Sequence, residues 1–142
     1  MRILGIDYGT RRVGLSVSDA LGIIAQGLET LKHPGSLDLL LKKIEEVACR
    51  HHVTEFVVGL PLNMNGTKGE KAREAETFAE HLGRIMCLPV HLWDERLTTV
   101  SVERDLSRWK VGIQKKKLLR DRLSAQLILQ SYLDFQRSQP KS

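Results

Sequence analysis

The spacing of apolar residues changes character along the chain, and the changes mark its elements. Residues 2–8 carry Ile3, Leu4 and Ile6, and residues 12–19 alternate Val13, Leu15 and Val17 against Gly14, Ser16 and Ser18. That two-residue period is the mark of a strand. A third strand is expected at about 23–31. The short Gly-containing links Tyr8-Gly9-Thr10-Arg11 and Ala20-Leu21-Gly22 make the three an antiparallel meander. After Ser36, a helix N-cap, Leu37, Leu40, Leu41, Ile44, Val47 and Ala48 fall on one helical face. Phe56-Val57-Val58-Gly59-Leu60 reads as a strand buried on both sides. Thr67-Lys68-Gly69-Glu70 has the capping-box pattern and opens a helix with Ala72, Ala75, Phe78, Ala79, Leu82 and Met86 inward. A strand at 88–93 follows, then a helix from Thr98 or Thr99 to about Trp109 and a last helix over about 117–136. Between these two, Gly112 and Gln114-Lys115-Lys116-Lys117 lack apolar periodicity and are expected to form a mobile loop.

A meander followed by strand-helix-strand-helix implies a mixed α/β sheet of five strands flanked by about four helices. A chain of 142 residues supports one compact core. We therefore expect a single domain over 1–136 and a polar C-terminal tail over 137–142. No apolar run approaches membrane-spanning length, and Asp7 interrupts the start before a signal-peptide core develops. Cys49 and Cys87 have no metal-ligand spacing, and the five histidines show no zinc-type pattern. A reducing cytoplasm fits this composition best. The formal net charge of +5 is compatible with a polyanionic partner such as nucleic acid.

Three carboxylates stand out against the apolar pattern. Asp7 closes Ile3-Leu4-Gly5-Ile6, and Glu95 follows Leu92-Trp93-Asp94. Asp121 falls on the stripe Leu118, Asp121, Ala125, Ile128 and Tyr132, the buried face of the last helix. Each acid alone is also explained as a cap or an ion-paired residue at an element end. Together they imply a carboxylate cluster, which repels itself unless protonated or bound to cations. Hard divalent ions such as Mg²⁺ or Mn²⁺ take oxygen ligands. Two such ions about 3.5–4 Å apart would activate the attacking water of phosphodiester hydrolysis and stabilise the leaving oxygen. In that scheme Asp7 bridges the ions while Glu95 and Asp121 complete their separate shells. Asp94 is read as a capping or salt-bridged residue outside the triad.

An acid on the first strand, one after a later strand and one on the last helix match a ribonuclease H-like layout. The run from Gly5-Ile6-Asp7-Tyr8-Gly9-Thr10 to Gly14, then Val58-Gly59-Leu60-Pro61-Leu62-Asn63, then Asp94-Glu95-Arg96-Leu97-Thr98-Thr99, together resemble the YqgF family. Lys115-Lys116-Lys117 and the segment from Asp121 to Leu133 fit the same family. Its members are Holliday-junction-resolvase-like proteins, also described as nucleases maturing the 5′ end of pre-16S ribosomal RNA. The resemblance covers nearly the whole chain. Asn65 departs from it, standing where the family often has an acid, and Ser124 replaces a small apolar residue. The resemblance implies a ribonuclease H-like fold and a metal-dependent endonuclease leaving a 5′ phosphate and a 3′ hydroxyl. Its nucleic acid would be precursor rRNA or, alternatively, a Holliday junction or other branched DNA.

Arg11 and Arg12 beside Gly9, Asn63 in the loop 61–67, and Lys115, Lys116 and Lys117 are the candidate phosphate contacts. For Arg11 and Arg12 a hairpin turn with solvated arginines is an equal reading. Two other functions are compatible with parts of the pattern. Gly5-Ile6-Asp7-Tyr8-Gly9-Thr10 also looks like the first phosphate loop of actin-like ATPases and sugar kinases, but those close two domains around ATP and 142 residues cannot supply both. A non-catalytic RNA-binding assembly factor, with the acids holding a structural ion, is the other.

Overall fold

The structure, a computed structural model, describes residues 2–97 and 113–139, with side chains described for 2–96 and 123–139. The strands are β1 (Arg2–Asp7), β2 (Arg12–Ser18), β3 (Ala25–Gly27), β4 (Leu31–Lys32), β5 (Val53–Leu60) and β6 (Val90–Asp94). The helices are α1 (Leu37–Arg50), α2 (Glu70–Met86) and α3 (Ile113–Ser138), and a short 3-10 turn occupies Glu95–Leu97. Sheet order is β3-β2-β1-β5-β6, with β4 also paired to β2. β1 is antiparallel to β2 and parallel to β5, and β5 is parallel to β6. The carboxyl ends of β1, β5 and β6 therefore share one edge of the sheet, where open α/β sheets bind their ligands.

The two faces are covered separately. On one, α1 and α2 bury Leu40, Ile44, Ala75, Phe78 and Leu82 against Leu4, Ile6, Leu15, Phe56 and Val58. On the other, α3 lays Ile128, Leu129, Tyr132 and Leu133 on Ile3, Ala25 and Val57. A Cβ at Gly5 would collide with Ser16 Oγ and come 2.8 Å from Leu129 Cβ, so this glycine lets α3 approach the sheet closely. Ser16 Oγ then donates to the Ala125 carbonyl at 2.7 Å, fixing the helix to β2. No helix among the described residues is long and apolar enough to cross a membrane.

Four sequence expectations change. The third strand is two short ones, β3 and β4, making six strands among the described residues where five were expected; Leu28 N still donates to Leu15 O at 2.8 Å between them. Thr67 does not cap α2. Its amide and hydroxyl both donate to Asn65 Oδ1, at 3.1 and 2.6 Å, and the N-cap is Gly69. Ser36, by contrast, does cap α1, accepting from the Leu39 amide. The last helix begins at Ile113, so Lys115, Lys116 and Lys117 are helical rather than in a loop. Gln and Lys are good helix formers even where no apolar stripe pins them. It also runs to Ser138, past the expected start of the tail. The expected helix from Thr98 or Thr99 to Trp109 lies outside the described residues, which hold three helices.

Candidate active site

Asp7 is the last residue of β1, where its neighbour across the antiparallel ladder is Gly14. One strand over, Ile6 pairs with Val58, which sets Gly59 of β5 beside Asp7. Glu95 opens the 3-10 turn directly after β6. Its side chain folds back over the sheet: a Cβ at Gly59 would stand 2.9 Å from both Cγ and Cδ of Glu95. The same Cβ would come 2.6 Å from Ile128 Cδ1. Gly59 thus forms a floor on which a carboxyl group rests where any other residue would place its own side chain.

Glu95 and Asp7 hydrogen-bond through their side chains. Two carboxyl groups in that relation require a proton, or a cation in its place. Burial pushes the Glu95 carboxyl above its ordinary range, and Asp94 adds to the rise, while the bond to Asp7 and the Lys71 ammonium act in the opposite sense. The donors are hard oxygens at an element end, which suits Mg²⁺ or Mn²⁺. Among the described residues no group of three His, Cys, Asp or Glu side chains could hold a metal ion. The third expected acid, Asp121, has its side chain outside the described residues.

Asp94 has a different task. Arg96 Nε reaches its two oxygens at 3.1 and 3.0 Å, and Nη2 reaches Oδ2 at 2.7 Å. That bidentate bond holds the Asp94 carboxyl below its ordinary range. Arg96 Nη1 also donates to the Met64 carbonyl at 3.3 Å, tying the loop 61–67 to the end of β6. Asp94 is thus the salt-bridged residue that the sequence indicated. Asn63 is occupied inside that loop: its amide donates to Thr67 O at 2.9 Å and its Nδ2 to Thr67 Oγ1 at 3.0 Å.

A cleft of about 340 Å³ opens over the acids, lined by Asp7, Glu95, Arg11, Arg12, Lys71 and Glu74 among others. Gly9 shapes its rim, because a Cβ there would meet the Arg12 carbonyl oxygen at 2.5 Å. The structure therefore brings Asp7, Glu95, Arg11 and Arg12 together and keeps Asn63 in the loop. Lys115, Lys116 and Lys117 have side chains outside the described residues. Lys71 and Glu74 were missed in the sequence. The signal was present, since both flank the buried stripe Ala72, Ala75 and Phe78 at the start of a helix that begins near the strand ends.

Residues 1–135 match the family described as "RuvX: Holliday junction resolvase". The chain belongs to this family. A Ruminiclostridium cellulolyticum protein is 45% identical over 134 residues, covering 94% of each chain. A Geobacillus kaustophilus protein is 46% identical over 138 residues, covering 96% of this chain and 100% of its own. Both bear the name "Putative pre-16S rRNA nuclease". Among solved structures, Thermus thermophilus RuvC in complex with a Holliday junction substrate aligns with a TM-score of 0.58 at 18% identity, over 97% of this chain and 96% of that one. At that identity the likeness concerns the fold, and it bears out the ribonuclease H-like layout. A ROK family protein of Streptococcus pneumoniae aligns at TM-score 0.50 and 17% identity, but this chain covers 37% of it. That likeness is one of fold, over part of the other chain's length.

Proposed function

We propose that this RuvX family member is a divalent-metal-dependent endonuclease that hydrolyses phosphodiester bonds at the 5′ end of pre-16S rRNA, with Asp7, Glu95 and Asp121 as catalytic residues and metal ligands. The hydrogen-bonded Asp7–Glu95 pair over Gly59 carries the reading. The names of the relatives supply the substrate. Mg²⁺ or Mn²⁺, two ions in the full site, would supply Lewis acidity for water activation and leaving-group stabilisation. Asp7 offers its carboxylate from the central strand, whose backbone is paired on both sides and has little freedom to shift. Glu95 is seated by the glycine floor. Ala125 of α3 comes close to Gly5, and position 121 lies about one helical turn earlier on the same helix. That placement favours Asp121 as the third ligand.

Arg11, Arg12 and Lys71 would hold the phosphates on either side of the scissile bond and orient it over the acids. Lys115, Lys116 and Lys117 precede Asp121 on the same helix and would steer the backbone toward the site. The family description favours a second substrate, a Holliday junction or other branched DNA, for the same residues.

A Mg²⁺-dependent cleavage assay on precursor rRNA, RNA duplex and four-way DNA junction tests the reading. Wild type is expected to cut precursor rRNA, and Asp7→Asn to fall below about 1% of that rate while keeping its fold, because the charge that holds the ions is gone. Full activity in purified Asp7→Asn protein removes Asp7 from the chemistry. Junction cleavage without RNA cleavage selects the second substrate. Binding of precursor rRNA with no cleavage of any substrate makes the protein an assembly factor.

A further inference from the structure

Beside the cleft over Asp7 and Glu95 lies a larger cavity of about 620 Å³. Tyr8, Thr10 and Glu74 line both, so the two adjoin along the β1–β2 turn. One side of the larger one is aromatic, with Tyr8 half-buried and Phe78 buried behind it. The Tyr8 ring stacks on Phe78 with centroids 4.5 Å apart and 19° between planes, and Leu37 lies alongside. His33 closes one side: its Nδ1 accepts the Gly35 amide at 3.0 Å and its Nε2 lies 3.4 Å from the Tyr8 hydroxyl. α2 forms the other wall. Glu70, Glu74 and Phe78 follow one another at four-residue steps, with Arg73 and Thr77 beside them.

The two cavities differ in charge. Three cations, Arg11, Arg12 and Lys71, line the first against three acids, Asp7, Glu74 and Glu95, whereas Glu70 and Glu74 outnumber Arg73 in the second. A phosphate finds arginine and lysine partners in the first, but a net negative wall with one arginine in the second. A nucleobase has the opposite needs. Its faces stack on aromatic rings, and its edge carries N–H donors that a carboxylate accepts. Guanine offers two adjacent donors, N1–H and N2–H, that match the two oxygens of one carboxylate. Adenine, cytosine and uracil each set one donor group beside an acceptor, which a carboxylate repels.

We propose that this second cavity receives an unstacked guanine of the nucleic acid whose phosphate lies over Asp7 and Glu95, and that Glu74 reads its N1–H and N2–H edge. The site is thereby selective for an unpaired guanine next to the cut, the kind of nucleotide that sequence-specific RNA recognition targets. The inference rests on the nuclease reading for its substrate, so its test is binding and does not require cleavage.

The probes are fluorescein-labelled single-stranded RNA octamers that differ at one central position: guanine, inosine, adenine or no base. They are titrated against the protein in EDTA and followed by anisotropy. Guanine is expected to bind about tenfold tighter than adenine, the usual worth of a bidentate edge contact. Inosine, lacking the N2 amine, should fall about threefold below guanine. Glu74→Gln should compress the guanine preference to less than about twofold, since its amide presents a donor where the base needs an acceptor. Thr77→Trp, a filling substitution from an exposed position, should reduce the guanine octamer to the level of the abasic one. Equal affinity of wild type for all four octamers overturns the proposal. So does an unchanged preference in a folded Glu74→Gln protein. A guanine preference in a protein that cleaves nothing leaves the pocket standing and removes the nuclease reading instead.

Discussion

Under α1 and α2 the sheet meets large side chains: Phe56, Phe78, Leu4, Ile6 and Leu82 are all at most 1% exposed. Under α3, Gly5, Ser16 and Gly59 stand beside Ile3 and Val57, at the positions where the helix or Glu95 comes closest. The first face is built by volume, the second by approach. Volume supplies stability through apolar area removed from water. Close approach contributes little area but sets where a helix and a carboxylate stand relative to Asp7. Damage to the first face should therefore appear in unfolding free energy, and damage to the second in activity per folded molecule.

The largest stability change is expected from Phe56→Ala on the first face. Phe56 is fully buried, and truncation of such a residue costs about 3–5 kcal/mol through lost transfer energy and a residual cavity. Urea unfolding should show this as a lower midpoint. Cleavage by the molecules that remain folded should stay within about twofold of wild type, because Phe56 packs away from α3. A tenfold loss of specific activity with native stability would invert the comparison.

Gly5→Ala comes next. Its methyl group would collide with Ser16 Oγ, approach Leu129 Cβ to 2.8 Å and reach 3.2 Å from the Ala125 carbonyl oxygen. Backbone and Cβ atoms cannot rotate aside, so α3 must lift, at about 1–3 kcal/mol for overpacking. The lifted helix carries position 121 away from β1, and cleavage should fall further than the loss of folded protein explains. Gly59→Ala sharpens the distinction. Its clashes are with the movable ends of Ile128 and Glu95, so stability should change by less than about 1 kcal/mol. Glu95 must nevertheless leave its floor, and a displacement of about 1 Å at a reacting centre can cost about a hundredfold in rate. Wild-type activity in a folded Gly59→Ala protein would show that Glu95 needs no fixed seat.

Much of this arrangement was legible in the sequence, and for a reason. Period-two and period-3.6 patterns record which face of an element is buried, so β1, β2, α1, α2 and β6 could be read within a few residues. Asp7 and Glu95 were legible as acids that end apolar runs. Approach was not legible. Gly59 looked like an ordinary member of a buried strand, because its role depends on Glu95 folding back from another strand. Lys71 and Glu74 border the cleft only because α2 begins above the carboxyl end of β1. The start of α3 was misread because periodicity reports burial, and Gln114 to Lys117 are helical by propensity without a buried stripe. Thr67 was misread because its hydroxyl is engaged within the loop, accepting from Asn63 Nδ2 and donating to Asn65 Oδ1, rather than accepting from a helix amide.

The smallest effect should come from the turn that joins β2 to β3 at the margin of the α3 face. Asp19 Oδ1 accepts the Ile23 and Ile24 amides at 2.7 and 3.1 Å, and Gln130 of α3 holds the same turn through Ile23 O and the Ala25 amide. The two amide bonds hold the Asp19 carboxyl below its ordinary range. A carboxyl lowered by folding contributes stability that is fully present above the unfolded value, about 3.9, and is lost as pH falls through the folded one. Asp19→Asn keeps an acceptor oxygen for the same amides but has no proton to gain. Its melting temperature should therefore lie slightly below that of wild type at pH 7, and the gap should narrow as both are taken below about pH 3.9. Amide exchange at Ile23 and Ile24 should quicken in the variant at pH 7 while core amides of β1 are unchanged. A gap that persists undiminished at pH 3 would mean that the turn is held by Gln130 and packing on α3, with the carboxylate charge contributing nothing.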